Sequence, residues 1–142
     1  ELNHDVGSAM MDPDGLHTCL ANLVSNALDA CQVSDKTRRH VWVRTADRAG
    51  VLVIEVADDG AGMDYDVQRK AFSTFFSTKA VGKGTGLGLL TTRKIAQEHG
   101  GRVSFETREG KGSVFRLEFP RDRLPRIEPA ADAKRETAAA PR

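Results

Sequence analysis

Residues 82–89 read Gly-Lys-Gly-Thr-Gly-Leu-Gly-Leu, and they open a predicted helix that Gly100-Gly101 ends. Successive glycines let backbone N–H groups approach a ligand closely, and the start of a helix adds about half a positive charge. The stretch therefore predicts a loop that binds phosphate. It is not a Walker A loop, because Gly84 follows Lys83, and Leu87 stands where a Gly-x-Gly-x-x-Gly fingerprint needs glycine. A merely flexible loop is the alternative.

An earlier helix carries two asparagines one turn apart. Asp12-Pro13-Asp14-Gly15 predicts a helix start, and the helix is expected over about residues 16–32. Asn22 and Asn26 then share one side of it. Neutral carbonyl oxygens at that spacing suit magnesium, a hard cation that keeps several waters and also binds phosphate. The alternative is an ordinary polar edge on an amphipathic helix.

The sequence from Asp58 to Met63 (Asp-Asp-Gly-Ala-Gly-Met) follows a strand that is apolar on both faces. A carboxylate there can accept a hydrogen bond from an amino group, while the glycines let backbone lie against a flat ring. A simple strand-ending turn is the alternative. Residues 72–79 combine three aromatics with hydroxyl residues and Lys79. These residues fit either an ordinary hydrophobic core cluster or a site in which Lys79 contacts phosphate oxygens.

Two pairs of predicted strands complete the domain. Residues 41–44 and 51–56 form the first pair, and residues near 103–105 and 115–119 form the second, around a Gly110-Lys111-Gly112 hairpin. Helices that cover one face of a mixed, largely antiparallel sheet fit this order. The predicted fold class is therefore α+β, a two-layer α/β sandwich.

Composition restricts the possible functions. The 142 residues suit one domain, and a net charge of +1 gives no electrostatic argument for nucleic acid or an anionic membrane. The longest apolar run, residues 51–54, is too short to span a bilayer. Cys19 and Cys31 are expected to be reduced core thiols. Since the chain begins with Glu1, it is expected to be a piece of a longer, cytoplasmic protein.

The folded domain is expected to cover residues 1–120. Residues 121–142 are rich in Ala, Pro and alternating charge, which predicts a disordered tail or linker. Truncation after Arg121 is accordingly expected to leave nucleotide affinity and melting temperature unchanged.

The four stretches, in this order and spacing, resemble the N, G1, F and G2 boxes of the GHKL superfamily of Bergerat-fold ATP-binding domains. Within it, about residues 3–120 are similar to the catalytic, ATP-binding domain of a bacterial sensor histidine kinase. The resemblance implies an enzyme that binds Mg-ATP. It would donate the γ-phosphoryl group to a histidine on separate, upstream dimerisation helices in two-component signalling. A response regulator would be an indirect partner, and no direct membrane contact is expected.

The resemblance also implies roles for single residues. Asn26 would ligate magnesium with Asn22 in support, and Asp58 would accept from the adenine amino group. Gly60 and Gly62 would shape the pocket floor, and Ser113 would contribute at the adenine end. The phosphates would be held by Lys79, Gly84, Thr85, Gly86, Leu87 and Gly88, and residues 76–85 would form a short ATP lid. Asp29 stands where many histidine kinases have lysine, so the resemblance leaves open whether this position contacts phosphate.

The other activities of the superfamily give alternatives. Relatives that hydrolyse ATP carry a glutamate one turn before the magnesium asparagine, whereas Asn22 cannot act as a general base. This favours a kinase over a hydrolase. A serine kinase of the anti-sigma-factor type stays open, and the intact boxes argue against a nucleotide-sensing module without catalysis. The four histidines lack the context of a phosphoacceptor: His4, His17, His40 and His99.

Overall fold

The computed structural model describes residues 6–72 and 87–126, and within them three helices and four strands form two layers. The elements in chain order are α1 (Pro13–Gln32), β1 (Val41–Arg48), β2 (Val51–Asp58), α2 (Tyr65–Lys70), α3 (Gly88–Glu98), β3 (Arg102–Arg108) and β4 (Gly112–Pro120). A short 3-10 turn, Arg121–Arg123, follows β4. The sequence pattern predicts all of these except α2 and the final turn.

The four strands form one sheet in the order β1-β2-β4-β3, and each neighbouring pair is antiparallel. Every residue of the central strand β2 after the first is buried. The register aligns Val41, Asp58, Ser113 and Thr107 in one row across the four strands. The predicted α+β sandwich is confirmed, and the pairings among these four strands are all antiparallel rather than mixed.

Helix α1 begins where the sequence predicts it. The Asp12 side chain accepts from the N–H groups of Asp14 and Gly15, and Pro13 opens the first turn. Its buried side is formed by Gly15, Cys19, Leu23, Ala27 and Cys31. Leu16 and Leu20 are half-buried and pack against the same core. Gly15 lets α1 pack closely against α3, because a Cβ there would lie 3.1 Å from Ile95 Cγ2.

Helices α1 and α3 cover one face of the sheet. The core there includes Leu52, Ile54 and Val56 of β2 and alternate residues of β4: Phe115, Leu117 and Phe119. Cys19 and Cys31 are both free and buried, as predicted, and burial raises the pKa of each thiol. Both cysteines therefore act as small apolar residues in this core.

The opposite face of the sheet is closed by ion pairs. Glu55, at the centre of β2, is buried and lies 2.9 Å from Arg116 of β4 and 3.3 Å from Arg44 of β1. Arg116 also pairs with Glu106 of β3. The long arginine side chains cover the apolar residues between them, so β2 is buried on both faces.

Arg121 joins three parts of the chain after β4. Its guanidinium donates to the carboxylate of Asp47, to the carbonyl oxygen of Ser8 at 3.0 Å and to the carbonyl oxygen of Val6. The hydrogen bond between Arg121 and Asp47 also lowers the pKa of the Asp47 carboxyl group. We call Arg121 with these three partners the Arg121 clasp. It ties the segment before α1 to the β1–β2 turn and to the end of the sheet.

The folded unit continues beyond residue 120, where the sequence predicted its end. Leu124 is only 7% exposed and belongs to the core under the helices. The structure therefore extends the folded unit beyond the predicted boundary, and the burial of Leu124 argues against the expectation that truncation after Arg121 leaves the melting temperature unchanged. The Arg121 clasp holds the start of the same segment. Residues 127–142 of the predicted tail lie outside the described residues.

Within the two described ranges, no helix combines the length and the apolar character that crossing a bilayer requires.

Candidate functional site

Asp58 ends the central strand as a buried carboxylate. Its side chain is on the helix-covered face, 7% exposed, and it accepts from the Gly60 N–H at 2.9 Å. Burial raises the pKa of Asp58, and backbone N–H groups of Gly60 and Ser113 act in the opposite direction. The strand end thus holds an oriented acceptor out of bulk water.

The neighbouring Asp59 has a different surrounding. It alternates to the other face of the sheet, where it accepts from the His40 N–H at 2.7 Å and lies 2.9 Å from His40 Nδ1. These bonds lower the pKa of Asp59. Asp58 is therefore the buried carboxylate of the pair, whereas Asp59 is bonded to His40.

Gly60 and Gly62 are required by close backbone contacts. A Cβ on Gly60 would lie 2.5 Å from the backbone of Ala30 near the end of α1. Gly62 has φ +67°, and a Cβ there would overlap the backbone of Arg108. Hydrogen bonds from Ala61 N–H to Ala30 O and from Gly110 N–H to Ala61 O fix the same loop. The loop after Asp58 is thereby held between α1 and the β3–β4 hairpin.

Ser113 lies beside Asp58 and is bonded to Thr107. The two hydroxyl oxygens are 2.8 Å apart, and Thr107 Oγ1 also accepts from the Met63 N–H and donates to Gly112 O. Since the proton of Thr107 goes to Gly112, Ser113 donates to Thr107 and keeps acceptor capacity on its own oxygen. The sequence predicted Ser113 at this end but missed Thr107, whose only signal is its register opposite Ser113 in the hairpin.

Asn22 lies where α1 meets the start of α3. The Asn22 side-chain nitrogen Nδ2 donates to Gly88 O at 3.1 Å and to Thr92 Oγ1 at 3.3 Å. Asn26 is half-buried one turn further along the same side of α1. The structure thus brings Asn22, Gly88 and the buried Thr92 together, and the sequence missed Thr92.

Helix α3 begins at Gly88 with Leu87 as its N-cap, and this cap makes no side-chain hydrogen bond. The first turn of a helix presents N–H groups that have no intrahelical acceptor. The other predicted phosphate-binding residues and the predicted lid lie in residues 73–86, outside the described part of the chain: Lys79, Gly84, Thr85 and Gly86. The predicted roles of all these site residues stay predictions.

Comparison with families of known proteins matches residues 11–123 to the family described as histidine kinase-, DNA gyrase B-, and HSP90-like ATPase. The chain belongs to this ATPase family. The match spans α1, both strand pairs and the 3-10 turn, so it includes both ends of the site.

Curated relatives of this ATPase domain are kinases. The chain is 33% identical over 120 residues to sporulation kinase E of Bacillus subtilis (strain 168), covering 84% of the chain and 16% of that protein. It is 38% identical over 119 residues to the sensor histidine kinase ZraS of Escherichia coli (strain K12), covering 83% and 24%. The chain thus spans less than a quarter of the length of these two relatives.

Solved structures show the same fold. The catalytic domain of the histidine kinase ThkA matches with a TM-score of 0.64 and 35% identity, covering 78% of this chain and 70% of that one. Full-length ShkA in complex with AMPPNP matches with a TM-score of 0.67 and 26% identity, covering 79% and 22%. The predicted resemblance to histidine kinase catalytic domains is confirmed.

Proposed function

We propose that this domain binds Mg-ATP and donates its γ-phosphoryl group to a histidine on the dimerisation helices of the same kinase. The observation that supports this best is Asp58, a buried carboxylate with fixed backbone partners at the end of β2. Membership of the ATPase family and the similarity to sensor histidine kinases support the rest. In two-component signalling, a response regulator would receive the group afterwards.

Base recognition would take place at Asp58. The Gly60 N–H and the Ser113 N–H occupy part of the carboxylate, and its other lone pairs can accept from the adenine amino group. Guanine has a carbonyl oxygen at that place, which a carboxylate repels. The loop held by Gly60 and Gly62 would form the floor, and the Ser113 oxygen would add an acceptor at the same end.

Phosphate binding would take place between α1 and α3. The magnesium donors would be the carbonyl oxygens of Asn26 and Asn22, which fit because the cation prefers hard oxygen ligands and few protein groups. The nitrogen of the Asn22 amide is already bonded to α3, which leaves its oxygen for the ion or an ion-bound water. When bound, magnesium neutralises charge on the phosphates. The remaining contacts would come from Lys79, Gly84, Thr85, Gly86, Leu87 and Gly88.

Water would be a poor acceptor of the γ-phosphoryl group in this site. Phosphoryl transfer depends mainly on positioning and electrostatic stabilisation, so ATP without a placed nucleophile turns over slowly. Asn22 cannot take a proton from water, and its nitrogen is committed to Gly88 and Thr92. We therefore expect negligible ATPase activity from the chain alone.

The test uses ATP labelled at the γ-phosphate, with the chain alone and with the dimerisation helices of its kinase supplied. Acid-labile, base-stable label on those helices is the expected result and identifies phosphohistidine. Acid-stable, base-labile label would indicate a serine kinase instead. Rapid phosphate release by the chain alone would make it an ATPase and overturn the proposal.

A further inference from the structure

Thr92 is a polar residue that is buried in the hydrophobic interior of the domain. It lies in the middle of α3 and its side chain is 0% exposed, within the layer between the helices and the sheet. A valine would fill the same volume, so the hydroxyl needs partners to offset the cost of its burial. One partner comes from α1: Asn22 Nδ2 donates to Thr92 Oγ1 at 3.3 Å. The backbone of Thr92 also contacts α1, because the Cys19 thiol lies 3.8 Å from the Thr92 carbonyl oxygen.

The same Asn22 nitrogen is shared with the first residue of α3. It donates to Gly88 O at 3.1 Å, so one amide contacts two residues that are one turn apart on α3. We call Asn22, Gly88 and Thr92 the Asn22 bridge. A Cβ on Gly88 would be 3.6 Å from Asn22 Cγ, an ordinary contact distance. Two hydrogen bonds therefore join Asn22 to α3, and there is room for a methyl group at Gly88 beside them.

We propose that Thr92 is a positioning residue for phosphate binding. Its hydroxyl orients the Asn22 amide against α3, and this fixes the first turn of α3 relative to Asn26 on α1. The inference rests on the proposed function, in which that turn and Asn26 hold the phosphates and their magnesium. Thr92 itself touches no nucleotide, because it is fully buried.

Thr92→Val should act on the phosphates and not on the base. The variant keeps the shape of the side chain but leaves the Asn22 nitrogen with one acceptor instead of two, so the amide and the turn of α3 are less well fixed. The adenine end is built on the sheet and is not part of the Asn22 bridge. Affinity for ADP should fall about 3- to 10-fold, while affinity for adenosine stays unchanged.

Titration calorimetry of the 142-residue chain with adenosine, ADP and Mg-ADP tests this. Thr92→Ser keeps the hydroxyl and should restore the wild-type ratio of ADP to adenosine affinity. Thr91→Val, a change at the half-buried neighbour, is the matched control and should bind as wild type. If Thr92→Val does not melt cooperatively, Thr92→Cys replaces it, because the thiol keeps the volume with weaker hydrogen bonding.

The outcomes separate the two proposals. A wild-type chain that binds no adenine nucleotide would overturn the proposed function. Wild-type binding with an unchanged ADP-to-adenosine ratio in Thr92→Val, or with equal losses for both ligands, would overturn the role of Thr92 alone. In an Asn22→Ala background, Thr92→Val should cause no further loss of ADP affinity. Additive losses would show that Thr92 does not act through Asn22 and would also overturn it.

Discussion

At the end of β2, backbone holds the site together: Asp58 is fixed by N–H groups of the loop and of β4, and Gly60 lies against the backbone of α1. At the start of α3, side chains do this instead, because the Asn22 amide joins two helices through Gly88 and Thr92. A side-chain atom added at Gly60 would overlap with the backbone of α1. By contrast, the loss of one side-chain hydrogen bond costs only about 1 kcal/mol of net stability. The end of the site at Asp58, where we propose that adenine binds, is therefore fixed by chain geometry. The end at the start of α3, where we propose that the phosphates bind, can be adjusted by single side chains.

The largest effect is expected from a substitution in the core, outside both ends of the site. Leu124→Ala removes a core side chain that is 7% exposed and should lower the free energy of unfolding by about 2–5 kcal/mol. Among molecules that stay folded, the ratio of ADP to adenosine affinity should not change. Chemical denaturation and calorimetry measure both, with the exposed Arg126→Ala as control. An unchanged unfolding free energy would show that the segment after Arg121 is dispensable after all.

Asp58→Asn should have the next largest effect, at the adenine end. Loss of a charge-assisted hydrogen bond costs about 1.5–3 kcal/mol, so ADP affinity should fall about 10- to 100-fold. The wild-type chain should prefer ADP to GDP, and the variant should lose most of that preference. Comparable affinities of the wild-type chain for the two nucleotides would contradict the assignment of Asp58.

The same variant should not lose stability at neutral pH. Burial raises the pKa of Asp58 above its unfolded value, so the wild-type stability falls as pH rises through that raised pKa. Asparagine has no such penalty and can still accept from Gly60. The variant should therefore melt at least as high as wild type at pH 7, and this difference should vanish below about pH 3.9. A lower melting temperature at pH 7 would show that hydrogen bonds outweigh the burial of the charge.

Two glycine substitutions compare the ends directly. Gly60→Ala places a Cβ 2.5 Å from the Ala30 backbone and should lower the unfolding free energy by about 1–3 kcal/mol. Gly88→Ala meets only Asn22 atoms at 3.6 Å or more and should change it by less than about 0.5 kcal/mol. Thermal or urea unfolding measures both. Equal losses would remove the distinction between the two ends.

Asn26→Ala should have the smallest effect, and one that depends on the ion. Removing one oxygen ligand should weaken Mg-ADP binding about fivefold and leave metal-free ADP nearly unchanged, because water can replace one ligand of magnesium. Titrations with and without magnesium measure this, and the exposed neighbour Ser25→Ala serves as control. Equal losses in both conditions would mean that Asn26 is structural.

Local patterns in the sequence predict much of the adenine end. The apolar run of β2 ends in Asp58, and the glycines after it indicate a close approach that the structure shows against Ala30. Thr92 could not be predicted, because its hydroxyl is bonded to Asn22, 70 residues earlier. Thr107 could be placed opposite Ser113 from the hairpin register, but its bond to Met63, 44 residues earlier, could not be predicted. In the sequence, nothing distinguishes Thr92 from other helical residues, because its burial depends on the packing of α1 against α3. Helix α2 has six residues and no apolar stripe, so its cap at Asp64 is its only signal.

The Arg121 clasp determines how force passes through the domain. The segment before α1 and the segment after β4 meet at one guanidinium, at the corner farthest along the strands from Asp58. A pull between the neighbouring parts of the chain would be carried by Arg121 and its partners across this corner. The strand end at Asp58 and the start of α3, where we propose that the nucleotide binds, would lie outside that load path. Tension applied across these two segments would therefore not shear the proposed site.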